Sequence, residues 1–149
     1  MSTATTPSVN GQVVGLAHYA TKAVMERAIA PLGLTHLQSL SLNFVAAQGG
    51  SAARGSIAGR LRENLKIEEA AALAPVTELL AAGLLEAADG SDVRLTDRGR
   101  ALQEQASGYG AAIAARVYAG FTPEELATAG RVLSIVTARA NAELAGEQP

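Results

Sequence analysis

The sequence contains no cysteine, so a disulfide framework, a thiolate nucleophile and a cysteine-based metal site are all excluded. Only 3% of the 149 residues are aromatic. No run of about 18 uncharged apolar residues is present that would predict a transmembrane helix. Residues 1–12 are largely polar and uncharged, without the basic start and apolar core of a signal peptide. These absences predict a cytoplasmic protein with no membrane partner.

The composition that remains favours helices. Apolar residues make up 48% of the chain, charged residues 17%, and 32 residues are alanine, which loses least on entering a helix. Biased codon use would also raise the alanine content, so composition alone does not establish helices. The spacing of apolar residues has to show where they lie. The formal net charge is −2, so any nucleic-acid binding must come from local basic clusters.

Apolar spacing and capping patterns predict six helices. The first covers residues 9–30 and ends at Pro31, and the second opens with Thr35 and Gln38 in a capping box. A short third helix follows Ser56, a fourth starts near Ile67, and a long fifth begins at Thr96. The sixth begins at residues 121–126, where Thr122 and Glu125 predict a second capping box. Between the fourth and fifth helices, residues 84–87 and 93–95 flank an Asp-Gly turn, which predicts a β-hairpin.

This order of elements predicts a mainly α fold with a small β-hairpin wing, that is, a winged helix–turn–helix with N- and C-terminal dimerisation helices. We expect a disordered lead-in at residues 1–8 and an N-terminal dimerisation helix at 9–33. The winged helix–turn–helix DNA-binding domain then covers 34–102, and the C-terminal dimerisation helices cover 97–145. The apolar stripes of the outer helices would be buried against a second copy. The fourth helix of each copy, which would read the major groove and is called the reading helix, would then lie roughly 34–36 Å from its counterpart.

At this point the sequence resembles the MarR family of transcriptional regulators over residues 9–145. The resemblance is carried by Leu79 and residues 82–85, and by a Leu-Thr-x-x-Gly element at residues 95–99 that closes the wing. Residues 121–126 resemble the start of the family's last dimerisation helix. The resemblance implies a homodimer that binds a palindromic promoter site in double-stranded DNA, often as a repressor. It also implies release by a small, frequently aromatic effector bound between the dimerisation helices and the winged domain.

Two groups of side chains are candidates for DNA contact, and a third for the effector. Cations that would contact phosphates are Arg54, Arg60, Arg62, Lys66 and Arg94. Residues of the reading helix that would face the major groove are Ala70, Ala71, Ala74 and Thr77. For the effector, the candidates are His18 and Tyr19 on the first helix, where dimer packing is the alternative role.

The sequence departs from the family at the wing and at the reading helix. The wing tip is only residues 89–92, with Arg94 as its first basic residue, and alanines occupy reading positions that family members usually fill with Ser, Thr and Arg. Pro75 either interrupts the reading helix or is the first residue of a shortened one. These departures favour an alternative function, a MarR-like dimer that has lost operator binding and binds a small molecule or a protein.

No pattern predicts catalysis, a metal or a cofactor. The two histidines, His18 and His36, lack a partner at metal-ligand spacing on a helix. His36 is expected at the surface, with phosphate contact as the alternative. The chain has no nucleophile elbow and no glycine-rich phosphate loop. We therefore expect a non-enzymatic regulator.

Overall fold

The protein is described by a computed structural model over residues 5–146, and this range contains six α-helices and three β-strands. The helices are α1 (Gly11–Ile29), α2 (His36–Ala47), α3 (Arg54–Leu65), α4 (Glu69–Ala81), α5 (Asp97–Val117) and α6 (Pro123–Leu144). The strands are β1 (Ser51–Ala53), β2 (Leu85–Ala87) and β3 (Asp92–Leu95), and a 3-10 turn (Ala30–Leu32) follows α1. The predicted fold class is confirmed. Of the predicted lead-in, residues 5–8 have no regular structure and residues 1–4 lie outside the described part.

Both predicted capping boxes are confirmed. The Thr35 side chain accepts a hydrogen bond from the Gln38 backbone N–H at 3.2 Å, and the Gln38 side chain accepts one from the Thr35 N–H at 3.1 Å. Thr122 and Glu125 repeat this arrangement at the start of α6, at 3.1 and 3.0 Å. Each box satisfies backbone donors that the first turn of a helix leaves unpaired.

The wing has three antiparallel strands in the order β1-β3-β2, one more than the predicted hairpin. Leu85 pairs with Leu95 in the hairpin, and on the other edge of β3 Ser51 pairs with Arg94. β1 consists of one serine and two alanines, which have no preference for strands. It is a strand because β3 supplies its hydrogen bonds, which local sequence patterns do not reveal.

Two predicted helix boundaries are wrong. The third helix begins at Arg54 and not after Ser56, because β1 leads directly into it. The fourth helix runs unbroken through Pro75, so the idea that Pro75 starts a shortened helix is also wrong. Pro75 is buried, and its apolar ring packs in the interior. Since proline has no N–H, residue 75 donates no hydrogen bond to the Ala71 carbonyl.

Residues 5–113 belong to one compact unit, whose core lies between α2, α3, α4 and the wing. Its fully buried large side chains are Ile29, Leu42, Val45, Ile57, Leu79, Leu85 and Val93. The second unit comprises the end of α5 and all of α6. The exposed large apolar residues of α6 are Leu126, Leu133, Ile135, Val136 and Leu144.

The Leu-Thr-x-x-Gly element joins the wing to α5 through a close backbone approach. The Thr96 hydroxyl donates to the Gly83 carbonyl at 2.7 Å and accepts from the Gly99 N–H at 3.0 Å. Gly99 is buried, and a Cβ at this position would overlap the Leu84 carbonyl oxygen. Glycine is therefore required here because the two backbones touch.

Candidate nucleic-acid interface and adjoining cavity

The exposed side of α4 is the part of the winged helix–turn–helix that would enter a major groove. Ala72, Val76 and Leu79 are buried against the core. On the exposed side lie the predicted Ala70, Ala74 and Thr77. Leu73 and Ala81, which were not among the predicted groove residues, lie there too. Helical spacing could have identified Leu73, since it lies three residues after Ala70 and four before Thr77.

The predicted cations of α3 lie on two different sides of the helix. Arg60 and Arg62 are two residues apart, so their side chains leave the helix about 160° apart around its axis. The Arg60 guanidinium lies 5.5 Å from the centre of the Phe44 ring, a cation–π contact with α2. Arg60 and Phe44 also line a cavity of about 440 Å³ between α2 and α3.

Arg62 and Lys66 are four residues apart and share the other flank of α3. Lys66 ends α3 in the left-handed conformation, with φ of 57°, and its Nζ donates to the Glu63 carbonyl at 2.6 Å. Both side chains are exposed. This flank of α3 is therefore a cationic surface next to the connection into α4.

Arg54 lies where α3 meets the wing. Its backbone N–H donates to the carbonyl of Ser91, at the tip of the wing, with a distance of 3.1 Å. Gly90 adopts a left-handed φ of 61° in this tip, between the acidic residues Asp89 and Asp92. The short wing therefore rests against the first residue of α3, with the exposed Arg54 beside it.

Arg94 is paired within the wing. Its Nε lies 2.8 Å from a carboxylate oxygen of Glu86, its cross-strand neighbour on β2. This hydrogen bond and the charge of Glu86 raise the pKa of Arg94 above its ordinary value. A phosphate at Arg94 would have to compete with Glu86 for the guanidinium. Arg98, also near the wing, donates to the Ala82 carbonyl at the end of α4 at 3.0 Å.

A cavity of about 640 Å³ lies beside α4, between α1, α2 and the end of α3. Its apolar lining residues are Leu37, Leu65, Ile67, Ala71, Ala74 and Pro75, and its polar lining residues are His18, Tyr19, Lys22, Glu26, Thr35, His36 and Glu78. The predicted effector residues His18 and Tyr19 are brought together here, with their rings 5.3 Å apart. Ala71 and Ala74, predicted for the major groove, also line this cavity.

Polar pairs form part of the cavity wall. The Lys22 ammonium lies 3.0 Å from the Glu26 carboxylate, and the Gln38 amide donates to the Glu78 carboxylate at 2.9 Å. His36 is half-buried, and desolvation, followed by the positive charge of Lys22, lowers its pKa below the ordinary value. His36 and His18 lie on different helices, so no local sequence pattern connects them.

Within the described residues, 5–146, a metal site would need a cluster of ligand side chains, and a membrane span would need a long apolar helix. No group of three or more histidine and carboxylate side chains there is arranged to hold a metal ion. Over the same range, no helix is both long and apolar enough to cross a membrane.

Comparison with known proteins places this geometry in a recognised fold. No family model and no curated protein matches the sequence, but many solved structures match the fold. The reduced form of MarR from E. coli superposes with a TM-score of 0.67 at 20% identity, covering 91% of this chain and 98% of MarR. CouR from Rhodococcus jostii, bound to p-coumaroyl-CoA, has a TM-score of 0.72 at 18% identity and covers 85% of this chain and 90% of CouR.

The Mycobacterium tuberculosis MarR family protein Rv2887, in complex with DNA, has a TM-score of 0.65 at 24% identity, covering 87% of this chain and 98% of Rv2887. Another Rv2887 structure contains p-aminosalicylic acid. The chain is thus a winged helix–turn–helix protein, and its fold is that of the MarR family of transcriptional regulators.

Proposed function

We propose that this protein is a dimeric DNA-binding transcriptional regulator of the MarR type, a cytoplasmic, non-enzymatic repressor of a palindromic promoter site. The observation that carries this proposal is the exposed side of α4, a helix that packs against α3, which bears exposed cations, and against strand β2 of the wing. Arg54, Arg62 and Lys66 provide exposed positive charge on α3 for phosphates. Rv2887, which shares the fold, binds DNA.

A second copy of the chain completes the proposed regulator. Leu126, Leu133, Val136 and Leu144, which are exposed and lie within about 80° of one another around α6, would be buried against the same helix of the partner. Two copies related by a two-fold axis would then present two α4 helices to successive major grooves, roughly 34–36 Å apart.

A small aromatic effector is proposed to bind in the 640 Å³ cavity and release the DNA. The volume suits a small molecule, and the lining combines apolar walls with a few polar groups, as ligand sites do. His18 and Tyr19 would contact the effector. CouR, bound to p-coumaroyl-CoA, and Rv2887, bound to p-aminosalicylic acid, are two proteins of this fold that hold small molecules.

The proposal is tested by measuring DNA affinity against salt concentration in gel-shift experiments, with DNA obtained by selection from random sequence. A discrete complex and a steep loss of affinity with salt are expected. Arg62→Ala should flatten the log–log slope by about 1.8, because each lost phosphate contact changes it by about 0.9 and a dimer loses two. Arg27→Ala, which removes an exposed charge on α1, is the matched control and should leave the slope unchanged.

Arg60→Ala is expected to change the slope less than Arg62→Ala, since Arg60 stacks on Phe44 on the other side of α3. An unchanged slope for Arg62→Ala would mean that this flank does not face DNA. An effector would be a small molecule that dissociates the protein–DNA complex of the native protein but not the complex formed by a Tyr19→Ala variant.

The second candidate function is a MarR-like dimer that does not bind an operator and serves as a small-molecule or protein-binding module. It is favoured by α4 itself, whose only charged residues are Glu69 and Glu78, and by the pairing of Arg94 with Glu86. The same gel-shift experiment decides. The absence of any discrete complex at low salt supports this candidate and contradicts the first.

A further inference from the structure

Apart from Glu69 in its first turn, the exposed side of α4 is almost entirely apolar, which is unusual for a reading helix. Leu73 is 39% exposed although it is a large aliphatic side chain within a helix that packs on the core. It is surrounded along the helix by the exposed Ala70, Ala74 and Thr77. The groups that this side of α4 presents for contact with a partner are therefore mainly methyl groups.

The few polar side chains of α4 do not supply the hydrogen-bond donors with which a reading helix usually recognises bases. The helix contains no Arg, Lys, Asn, Gln or Ser, which are the residues that read guanine and adenine through their hydrogen-bonding edges. Glu78 lines the cavity and accepts a hydrogen bond from Gln38. Glu69 is at the first turn, and Thr77 carries a single hydroxyl next to its methyl group.

In the major groove, the apolar feature that distinguishes one base pair from another is the 5-methyl group of thymine. An apolar helix side therefore matches thymine better than any other base. The charge needed to hold the duplex lies outside α4, on Arg54 and Arg62 of α3 and on Lys66 at its C-terminal cap. The apolar side of α4 is thus accompanied by positive charge on the neighbouring helix. This combination favours DNA over a protein as the partner that contacts α4.

We propose that Leu73 and the methyl group of Thr77 contact thymine 5-methyl groups, so that the protein selects half-sites with thymines at the positions facing α4. This inference rests on the proposed DNA-binding function. Leu73 is then a specificity-determining residue, and the alanines beside it allow the helix to approach the bases closely.

The experiment uses the full chain and the DNA that it selects from random sequence. Each thymine of the half-site is replaced by deoxyuridine, which lacks only the methyl group and keeps the hydrogen-bonding edge and the phosphate charge. Binding is measured at constant salt. Loss of a buried methyl contact is expected to lower affinity about 4-fold per contact, at the one or two positions facing Leu73 and Thr77. Uracil at the remaining positions should have little effect.

Protein variants assign the contacts. Thr77→Ser removes the methyl group and should abolish sensitivity to uracil at one position, whereas Thr77→Val keeps the methyl group and should retain that sensitivity. Leu73→Ala should abolish sensitivity at the other position, and because Leu73 is partly exposed the fold should survive, which circular dichroism checks.

The outcomes separate this inference from the proposed function. A protein that binds selected DNA but is indifferent to every uracil substitution overturns thymine recognition and leaves the DNA-binding function standing. A protein that binds no DNA overturns both, and a partner protein bound through Leu73 would then identify the alternative occupant.

Discussion

At the scale of single residues, His36 shows how the surroundings of a cavity change the pKa of a side chain that lines it. It is the first residue of α2, half-buried, and faces Lys22 and Glu26 of α1 together with His18. Desolvation and Lys22 both disfavour its charged form, while Glu26 opposes them, and the net result is a pKa below the ordinary value of 6.5. The folded protein therefore holds His36 neutral at pH values where the unfolded chain binds a proton.

This difference makes stability depend on pH. Between the lowered pKa of folded His36 and 6.5, the unfolded chain binds more protons, so the free energy of unfolding falls as the solution becomes more acidic. The contribution is fully present above pH 6.5 and is lost as the pH falls through this window. His36→Gln should weaken the pH dependence, measured by urea denaturation at intervals between pH 5 and 8. Equal pH dependence in both proteins would contradict the assignment.

At the scale of elements, the junction of α4, β2 and α5 depends on one glycine. Gly99→Ala would push a methyl group into the Leu84 carbonyl, and neither backbone can move without disturbing the hydrogen bonds of Thr96. The expected loss of stability is at least about 1–3 kcal/mol, the usual cost of overpacking. Thermal and urea unfolding at matched protein concentration measure it.

The control for this substitution is Gly59→Ala. Gly59 lies in the middle of α3 with open space around the position of a Cβ. Alanine there should stabilise the protein by up to about 1 kcal/mol, because glycine costs more than alanine in a helix. If both variants were destabilised equally, the contact with Leu84 would not be the cause.

The elements that could be predicted from the sequence are those determined by nearby residues. The capping boxes at Thr35 and Thr122 need only a partner three residues away, and the hairpin needs only its Asp-Gly turn. β1 could not be predicted, because it is a strand only through β3, some forty residues further along the chain. Pro75 was ambiguous for a related reason, since tertiary packing of its ring compensates for the hydrogen bond that α4 loses there.

The candidate site was predictable only in part. The sequence identified α3 and α4 as the helix pair, but it treated Arg60 and Arg62 as one cluster although helical geometry separates them. It selected His18 and Tyr19 but not Lys22 or His36, which complete the cavity from other turns and another helix. Cavities depend on residues far apart in sequence, which no local pattern identifies.

At the scale of the whole molecule, the proposed dimer depends on the apolar side of α6. Leu133→Glu would place a charge among side chains expected to be buried against the partner. A symmetric dimer loses the substituted contact twice, so the dissociation constant should rise at least about 100-fold, given roughly 1.5 kcal/mol or more for each buried leucine. Sedimentation velocity over a range of concentrations measures the change.

Ala138→Glu is the matched control for the dimer. It adds the same charge to α6, about 140° away from Leu133 around the helix axis, at an exposed position. It should leave the association unchanged. A native protein that sediments as a monomer at every concentration would contradict the dimer outright.

Pro75 has a mechanical consequence for α4. With no bond from residue 75 to the carbonyl of Ala71, the helix resists bending least along this stretch. Both residues lie in the cavity wall, and Leu73 is midway between them. A molecule bound in the cavity would therefore touch α4 at its most compliant turn, and a slight curvature there would tilt Leu73.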